Sequence, residues 1–260
     1  MMMNGMSMME KSWDKTMFKF YEVGGKIRDE LLGLTNKDVD YVAVPTEELF
    51  KYGYTAEQMF TVLLDYLHSE KFEVFLVTED CYTIRAKFPK GYKYQGVADF
   101  VMARKEVGYI PGTRTPIVKP GNLYDDLSRR DFTVNALAKD PDTGEIIDYF
   151  GGKEDLVNIS LRTPLDPIVT FNDDPLRILR GIRFAITKGF NIEKKTWEAM
   201  YYYPYEEKMH VVSEERIREE LTKCFKCHTP GTLNYLFSIP TLKDYIFANT
   251  SLWLKPTNEK

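Results

Sequence analysis

The chain has 260 residues, of which 43% are hydrophobic, 14% aromatic and 28% charged, a composition typical of folded globular proteins and not of disordered, collagen-like or coiled-coil ones. Its formal net charge of −4 excludes a generally basic surface, so a nucleic-acid site would be a local patch, and basic residues do outnumber acidic ones between Ile84 and Arg130. Three cysteines are too few for a disulfide framework and no apolar stretch reaches membrane-spanning length, which predicts a soluble, cytoplasmic chain.

Strand and helix patterns alternate through the first part of the chain. Helical spacing predicts helices over 26–32 and 46–69, the first of them opened by Gly24-Gly25. Residues 106–123 are rich in Gly, Pro, Thr and Arg without a period, and predict a long loop of the functional or mobile kind. Apolar, β-branched and aromatic runs predict strands over 18–23, 39–44, 72–77, 82–88 and 96–102.

The character of the sequence changes after about residue 156. Strand signals stop there, and helical spacing dominates over 175–187, 192–202 and 214–227. The pattern predicts a sheet with flanking helices followed by a helical region, which is an α+β organisation.

Two carboxylates and a glycine turn are the first features with chemical meaning. Asp38 and Asp40 are two residues apart on a predicted strand, so their side chains would leave the same face and could share Mg²⁺. Such pairs also arise by chance in a chain with 39 acidic residues. The turn at Gly24-Gly25 strengthens the hypothesis, because glycines let backbone N–H groups approach a phosphate. Neither a dinucleotide fingerprint nor a P-loop spacing is present.

Five sequence blocks stand out along the chain. They are VGGKIRDELLG (23–33) with KDVDY (37–41), DLSRRDFTVNA (126–136), DYFGGKEDL (148–156), DDPLRILRGIRF (173–184) and SEERIREE (213–220). In this order they resemble the motifs of class II tRNA nucleotidyltransferases and bacterial poly(A) polymerases, members of the polymerase-β-like nucleotidyltransferase superfamily. One departure is Asp173, which stands where the family usually has Glu.

The resemblance implies an α+β fold with three parts. An N-terminal nucleotidyltransferase head, a mixed sheet flanked by helices, would occupy residues 1–156. An all-α neck that recognises the base would follow over 157–228, and 229–260 would form a short helical remnant of a truncated body. The part that grips tRNA is therefore expected to be abbreviated.

The resemblance also implies a metal-dependent catalytic centre. Asp38 and Asp40 would hold two Mg²⁺ ions that clamp the triphosphate and the attacking 3′-hydroxyl. Asp99, on the predicted strand 96–102, would be the third carboxylate, as a metal ligand or as the group that helps to deprotonate the hydroxyl. The alternative for Asp99 is a solvent-exposed acid on an edge strand.

Further residues would bind the nucleotide. Triphosphate ligands would be the amides of Gly24 and Gly25 and the side chains of Arg28 and Arg130, whose guanidinium groups offer forked donors. Asp131 and Asn135, four residues apart on a predicted helix face, would contact ribose hydroxyls, with a helix cap and an exposed turn as their alternatives. Arg129 suits phosphate less well than its neighbour and is expected to pair with an acid at the surface.

The fourth block would choose the base. The spacing of Asp174, Arg177, Arg180 and Arg183 predicts one broad helix face, on which three arginines would repel one another without an anion. In the resembling family the aspartate and the first arginine hydrogen-bond the Watson–Crick edge of CTP or ATP, and a mobile loop, here residues 104–119, helps the switch between the two. A surface helix with ion pairs is the alternative.

The implied activity is template-independent addition of CCA to tRNA 3′ ends from CTP and ATP, with no membrane partner. Alternatives within the class are a poly(A) polymerase and an enzyme that adds only CC or only A. Alternatives outside it are a non-catalytic RNA-binding module, which would have lost the metal carboxylates, and a small-molecule nucleotidyltransferase, which would not need the Asp174 and Arg177 face. Whether the protein is a monomer or a homodimer stays open.

Overall fold

The computed structural model describes residues 17–36, 38–92, 94–110, 112–113 and 115–249. Lys37 of the first block, Lys93 and Arg114 of the basic segment, and residues 250–260 of the predicted body lie outside this description. The chain divides into two compact units. The sheet unit runs to Ile110 and includes Thr115–Arg130 and Val134–Lys153; the helical unit contains Pro111–Arg114, Asp131–Thr133 and the chain from Glu154 onward. The predicted boundaries after residues 156 and 228 stay predictions.

A seven-stranded sheet is the centre of the sheet unit, in the order β3-β4-β5-β2-β1-β8-β9. Its strands are β1 (Phe18–Val23), β2 (Val39–Pro45), β3 (Glu73–Thr78), β4 (Thr83–Lys87), β5 (Val97–Met102), β8 (Leu137–Lys139) and β9 (Ile146–Asp148). The pair β2 and β5 is parallel and the other pairs are antiparallel, so the predicted mixed sheet is confirmed. The strands β6 (Arg104–Tyr109) and β7 (Pro116–Pro120) form a separate hairpin.

Helices cover both faces of this sheet. They are α1 (Gly25–Leu31), α2 (Glu47–Lys51), α3 (Ala56–Ser69) and α4 (Leu123–Ser128). Tyr41 of β2 is buried in a cluster with Leu49 of α2 and Leu63 of α3, whereas Val42 is buried with Leu127 of α4. Because side chains alternate along a strand, Asp40 leaves β2 on the Val42 face, away from α3.

Two predictions for the sheet unit are wrong. The helix predicted over 46–69 is two helices, because Gly53 takes a left-handed φ of +69° that ends the first one. The loop predicted over 106–123 is the β6–β7 hairpin, whose half-exposed strands lack apolar alternation. Gly121 closes the hairpin onto its own start, since a Cβ there would lie 2.7 Å from the carbonyl carbon of Arg104.

The N-terminal cap of α3, which starts a new helix after the interruption at Gly53, can be tested by mutation. The Thr55 hydroxyl accepts the Gln58 N–H and the Gln58 side chain accepts the Thr55 N–H, a reciprocal capping box. We expect Thr55→Ala to lower the free energy of unfolding by about 1 kcal/mol in urea titrations. Thr61→Ala, in the exposed middle of α3, is the control and should cost nothing, because alanine has the higher helix propensity. Equal losses in both variants would contradict the capping role.

The helical unit consists of helices with one pair of two-residue parallel strands, β10 (Ser160–Leu161) and β11 (Asn191–Ile192). Its helices are α6 (Pro167–Asp173), α7 (Leu176–Lys188), α8 (Lys194–Tyr201), α9 (Tyr205–Lys208), α10 (Glu214–Ser238) and α11 (Pro240–Asn249), while α5 (Gly152–Val157) begins in the sheet unit. The long α10 kinks at His228, whose φ of −155° is not helical, and packs against α7. The predicted helical C-terminal region is confirmed. None of the helices in the described part of the chain is long and apolar enough to cross a membrane.

Candidate active-site residues in the two units

The three predicted carboxylates lie on or next to the adjacent strands β2 and β5. Asp40 and Asp99 are register partners on the parallel strands β2 and β5, and Asp38 directly precedes β2, with its side chain exposed. Burial, followed by the negative charge of Asp99, raises the pKa of the Asp40 carboxyl, with a smaller contribution from Asp38 and opposition from Arg130. The alternative of an edge-strand acid for Asp99 is wrong, because β5 lies between β4 and β2.

This arrangement fits a divalent cation. Burial and the negative charge of Asp99 raise the pKa of Asp40, a cost that a neighbouring cation would offset, and carboxylate oxygens are the donors that Mg²⁺ prefers. Within the described residues no group of three acidic, histidine or cysteine side chains is arranged to hold a metal ion by itself. The fit is therefore with an ion that takes the rest of its shell from substrate phosphates and water, as Mg²⁺ usually does.

Arg85 holds both oxygens of Asp99, a contact that the sequence did not reveal. Its Nε and Nη2 donate to Oδ1 and Oδ2 of Asp99 at 2.6 and 2.7 Å from the adjacent strand β4. The Arg85 side chain is 47% exposed and that of Asp99 is 26% exposed. No local pattern could have given this pair, because it depends on the register between two strands.

The Gly24 turn lies next to both Arg130 and Asp40. Gly24 adopts a φ of +77°, which favours glycine, and a Cβ there would lie 3.3 Å from Nη1 of Arg130 and 3.9 Å from Oδ2 of Asp40. Nη2 of Arg130 donates to Asp126 at 3.0 Å. Its buried Nε has no hydrogen-bond partner within the described residues, so this donor is available to a ligand.

Arg28 lies under the turn and stabilises it. Its Nη1 donates to Oδ1 of Asn135 at 2.6 Å, its Nε donates to Asp29 at 2.9 Å, and a Cβ on Gly25 would lie 3.3 Å from its Nη2. Asp29 also accepts from Asn36 at 2.9 Å. The Arg28 guanidinium is thus buried in a network of side chains next to the turn, and its role as a triphosphate ligand stays a prediction.

Asp131 and Asn135 do not share a helix face, so that prediction is wrong. A short 3₁₀ turn covers Thr133–Asn135 instead, and Asn135 belongs to the sheet unit while Asp131 belongs to the helical unit. The Thr133 hydroxyl donates to Asp155 at 2.6 Å and is fully buried, which holds this segment in an irregular conformation.

Asp126 is the buried centre of the second block. It is fully buried, accepts from Arg129 at 2.5 Å and from Arg130 at 3.0 Å, and Arg129 also lies 3.6 Å from Glu106. Burial alone would raise the pKa of Asp126, but the two guanidinium groups outweigh it and hold the pKa below its usual range. Arg129 pairs with an acid as expected, although Asp126 is not at the surface. The block contained this acid, but its spacing gave no sign of burial.

In the helical unit, Asp174 is not on the predicted helix face. It precedes Pro175 in an extended conformation between α6 and α7, because the residue before a proline avoids helical geometry. Its Oδ1 accepts the Leu176 N–H at 3.0 Å and its carbonyl accepts the Arg177 N–H at 3.0 Å. Asp174 therefore lies at the entrance of α7.

The three arginines of α7 each have a separate partner within the protein, so the expected repulsion between them is relieved without a bound ligand. Arg177, only 9% exposed, donates from Nη1 to the Thr170 carbonyl at 3.1 Å. Arg180 donates to Oδ2 of Asp131 at 2.8 and 2.6 Å, and burial of Arg180 does not prevent that carboxylate from raising its pKa. Arg183 donates to Glu220 of α10 at 2.5 Å, a residue of the fifth block that sequence reasoning did not assign.

Comparisons with known proteins agree on one family. Residues 20–162 match the model described as "Poly A polymerase head domain", and 189–237 match "Probable RNA and SrmB- binding site of polymerase A". The chain is 35% identical over 221 residues to the "Multifunctional CCA protein" of Nitrosomonas europaea, covering 84% of this chain and 47% of that protein. It is 38% identical over 207 residues to the "CCA-adding enzyme" of Enterococcus faecalis, covering 79% and 45%.

Solved structures agree with these relatives. The Thermotoga maritima CCA-adding enzyme complexed with tRNA has a TM-score of 0.66 at 27% identity, covering 92% of this chain and 50% of that one. A complex of a CCA-adding enzyme with CTP has a TM-score of 0.65 at 27% identity, covering 87% and 47%. The chain spans about half the length of the curated relatives it matches.

Proposed function

Because the chain belongs to the family of class II tRNA nucleotidyltransferases and bacterial poly(A) polymerases, we propose that it adds or repairs the 3′-terminal CCA of tRNA from CTP and ATP without a nucleic-acid template. The observation that carries the proposal is the pair Asp40 and Asp99 on adjacent strands, next to the Gly24 turn and Arg130. A non-catalytic RNA-binding module would have no reason to keep these carboxylates together at a cost in stability.

Nucleotidyltransferases of this family generally use divalent metal ions. In the proposed reaction Asp38 and Asp40 would hold two Mg²⁺ ions, which when bound would neutralise the triphosphate and favour ionisation of the attacking hydroxyl. The 3′-oxygen of the RNA forms a bond to the α-phosphorus while the bond from that phosphorus to the β-phosphate oxygen breaks. Pyrophosphate leaves with the electron pair, and the hydroxyl proton passes to Asp99 and then to solvent.

The two units have different tasks in this proposal. In the sheet unit the amides of Gly24 and Gly25 and the unpartnered Nε of Arg130 bind triphosphate oxygens, while Arg28 and Asn135 hold the turn in shape. In the helical unit Asp174 accepts from the exocyclic amine that cytosine and adenine share, and Arg177 donates to the ring. Two ion pairs hold α7 in place, namely Asp131 with Arg180 and Glu220 with Arg183.

Base selection by α7 gives a prediction. We expect Arg177→Ala to lower the preference for CTP over UTP by about tenfold, because a bidentate base contact contributes about 1–3 kcal/mol of discrimination. The measurement is the ratio of kcat/KM for the two nucleotides on a tRNA that ends before its CCA. Arg180→Ala is the control on the same helix and should lower thermal stability while it keeps the ratio. An unchanged ratio in Arg177→Ala would remove its role in base selection.

The proposed function is tested by extension of three tRNA transcripts that end at the discriminator base, at C and at CC. Each is incubated with Mg²⁺ and single nucleotides, and then with CTP plus ATP. We expect defined products that stop at CCA. A ladder of adenylates would indicate a poly(A) polymerase instead, additions of one kind would indicate a CC- or A-adding enzyme, and no extension of any RNA would contradict the proposal.

We also propose that the protein acts in the cytoplasm. Its three cysteines, Cys81, Cys224 and Cys227, are free thiols, which is typical of reducing compartments. The proposed substrates, tRNA and nucleoside triphosphates, are those of a cytoplasmic processing enzyme.

A further inference from the structure

A row of side chains crosses β3, β4, β5 and β2 on one face of the sheet and ends in a cleft. Leu76, Arg85, Asp99 and Asp40 are successive register partners on β3, β4, β5 and β2, so the row continues from Asp40 toward β1 and the Gly24 turn. Adjacent strands are about 4.8 Å apart, which separates Arg85 from β1 by roughly 14 Å. Asp40 therefore has one cationic group on each side of it, Arg130 near β1 and Arg85 on β4.

The geometry of phosphoryl transfer requires the triphosphate and the attacking RNA hydroxyl to lie on opposite sides of Asp40. The attacking hydroxyl and the departing pyrophosphate lie roughly in line on opposite sides of the reacting phosphorus. The Gly24 turn and the unpartnered Nε of Arg130 suit the triphosphate on the β1 side of Asp40. The hydroxyl must then arrive from the opposite side, where Asp99 and Arg85 lie.

A cleft of about 210 Å³ opens on that side. It is lined by Leu76, Thr78, Thr83, Arg85 and Asp99. Two hydroxyls, one carboxylate and one guanidinium around a single apolar side chain suit a ribose and its phosphate, whereas an apolar ligand would leave these groups without partners.

The contact between Arg85 and Asp99 is suited to exchange. It is a half-exposed cross-strand ion pair, a type that contributes at most about 1 kcal/mol to stability and is easily given up. Each oxygen of Asp99 accepts one hydrogen bond from Arg85 and has a second lone pair that can accept from a 3′-hydroxyl. An RNA phosphate is the partner to which a forked guanidinium binds most favourably.

We propose that this cleft receives the terminal nucleotide of the RNA being extended, with Arg85 bound to its phosphate and Asp99 facing its 3′-hydroxyl. The inference rests on the proposed function and adds the subsite for the RNA end. The competing explanation is an ion pair that only stabilises the two strands.

The test measures Kd for RNA without metal or nucleotide, so it does not depend on turnover. The probe is a tRNA ending in CC, whose ligated 3′ segment carries either a normal last phosphodiester or a neutral methylphosphonate. We expect Arg85→Gln to raise Kd for the normal RNA about tenfold, as for loss of one charge-assisted contact. The unaltered protein should bind the methylphosphonate RNA with a Kd about tenfold higher than that for the normal RNA. The Arg85→Gln protein should bind the two RNAs with the same Kd. Lys87→Gln, which removes a charge two residues along the same strand face, is the matched control and should behave as the unaltered protein.

If Arg85→Gln and the methylphosphonate weaken RNA binding independently, so that their effects on Kd multiply, Arg85 does not contact this phosphate and the inference is overturned. A fall in kcat with unchanged Kd for RNA would do the same, since it would mean that Arg85 acts only on Asp99. Thr78→Trp, which fills the cleft, supplies a second variant and should weaken binding of both RNAs. If Arg85-dependent binding is found but no RNA is extended with Mg²⁺, the proposed function fails while the binding subsite stands.

Discussion

Asp40→Asn is expected to reduce nucleotide incorporation at least about 10³-fold while it increases the stability of the fold. Loss of a carboxylate that is proposed to hold the metal should remove several kcal/mol of transition-state stabilisation, and each 1.36 kcal/mol is about a factor of ten in rate. The gain in stability follows from the raised pKa of Asp40, which burial and the charge of Asp99 cause. The measurements are single-turnover extension of a tRNA ending in CC and urea unfolding of the same preparations.

The stability gained by Asp40→Asn depends on pH. Because the folded-state pKa of Asp40 lies above its unfolded value of about 3.9, the folded state prefers the protonated carboxyl. Ionisation therefore costs stability at neutral pH, and the cost disappears below the unfolded pKa. Asp40→Asn should be more stable than the unaltered protein at neutral pH and equal to it in acid.

Glu73→Gln provides the control for the loss of one negative charge on the same sheet. Glu73 is exposed on β3 and lies 3.6 Å from Lys87, so its substitution should leave both incorporation and stability nearly unchanged. Retained turnover in Asp40→Asn with Mg²⁺ would contradict the metal-binding role. A loss of stability at neutral pH would contradict the electrostatic explanation.

The sequence was sufficient to predict the elements that position the proposed catalytic carboxylates. The apolar run of β1, the Gly24-Gly25 turn and the strand β2 all carry local signals, because a buried strand and a glycine turn each restrict the residues that can form them. The β6–β7 hairpin carried no such signal. Its partly exposed strands show neither alternation nor a continuous apolar run, and pairing between the strands decides their conformation.

The sequence could not predict which side chains pair with the charged residues. Arg28 binds Asn135 from 107 positions away, and Arg180 binds Asp131 from 49 positions away. An arginine in a nucleotide-binding block predicts an anion, but a carboxylate or amide brought by another segment satisfies the same donors. Tertiary pairing therefore separates Arg130, whose Nε has no partner within the described residues, from Arg28 and Arg180, whose guanidinium groups are paired within their own units.

Asp126→Asn is expected to lower the free energy of unfolding by about 3 kcal/mol at neutral pH. Asp126 is fully buried between Arg129 and Arg130, and loss of one partner of a buried ion pair leaves an uncompensated charge that costs about 3–5 kcal/mol. We place the loss at the lower end because Glu106 lies 3.6 Å from Arg129 and shares its charge. Urea unfolding at neutral pH measures the difference.

The same difference should shrink in acid. Since the two guanidinium groups hold the folded-state pKa of Asp126 below its unfolded value of about 3.9, its contribution is complete above that pH and is lost as the pH falls through the folded pKa. Asp125→Asn, on the same helix α4, is the matched control and should cost only the cap with Asn122, about 1 kcal/mol. A loss in Asp126→Asn that stayed constant from neutral pH to about pH 2 would show that packing, and not the charge of Asp126, stabilises the second block.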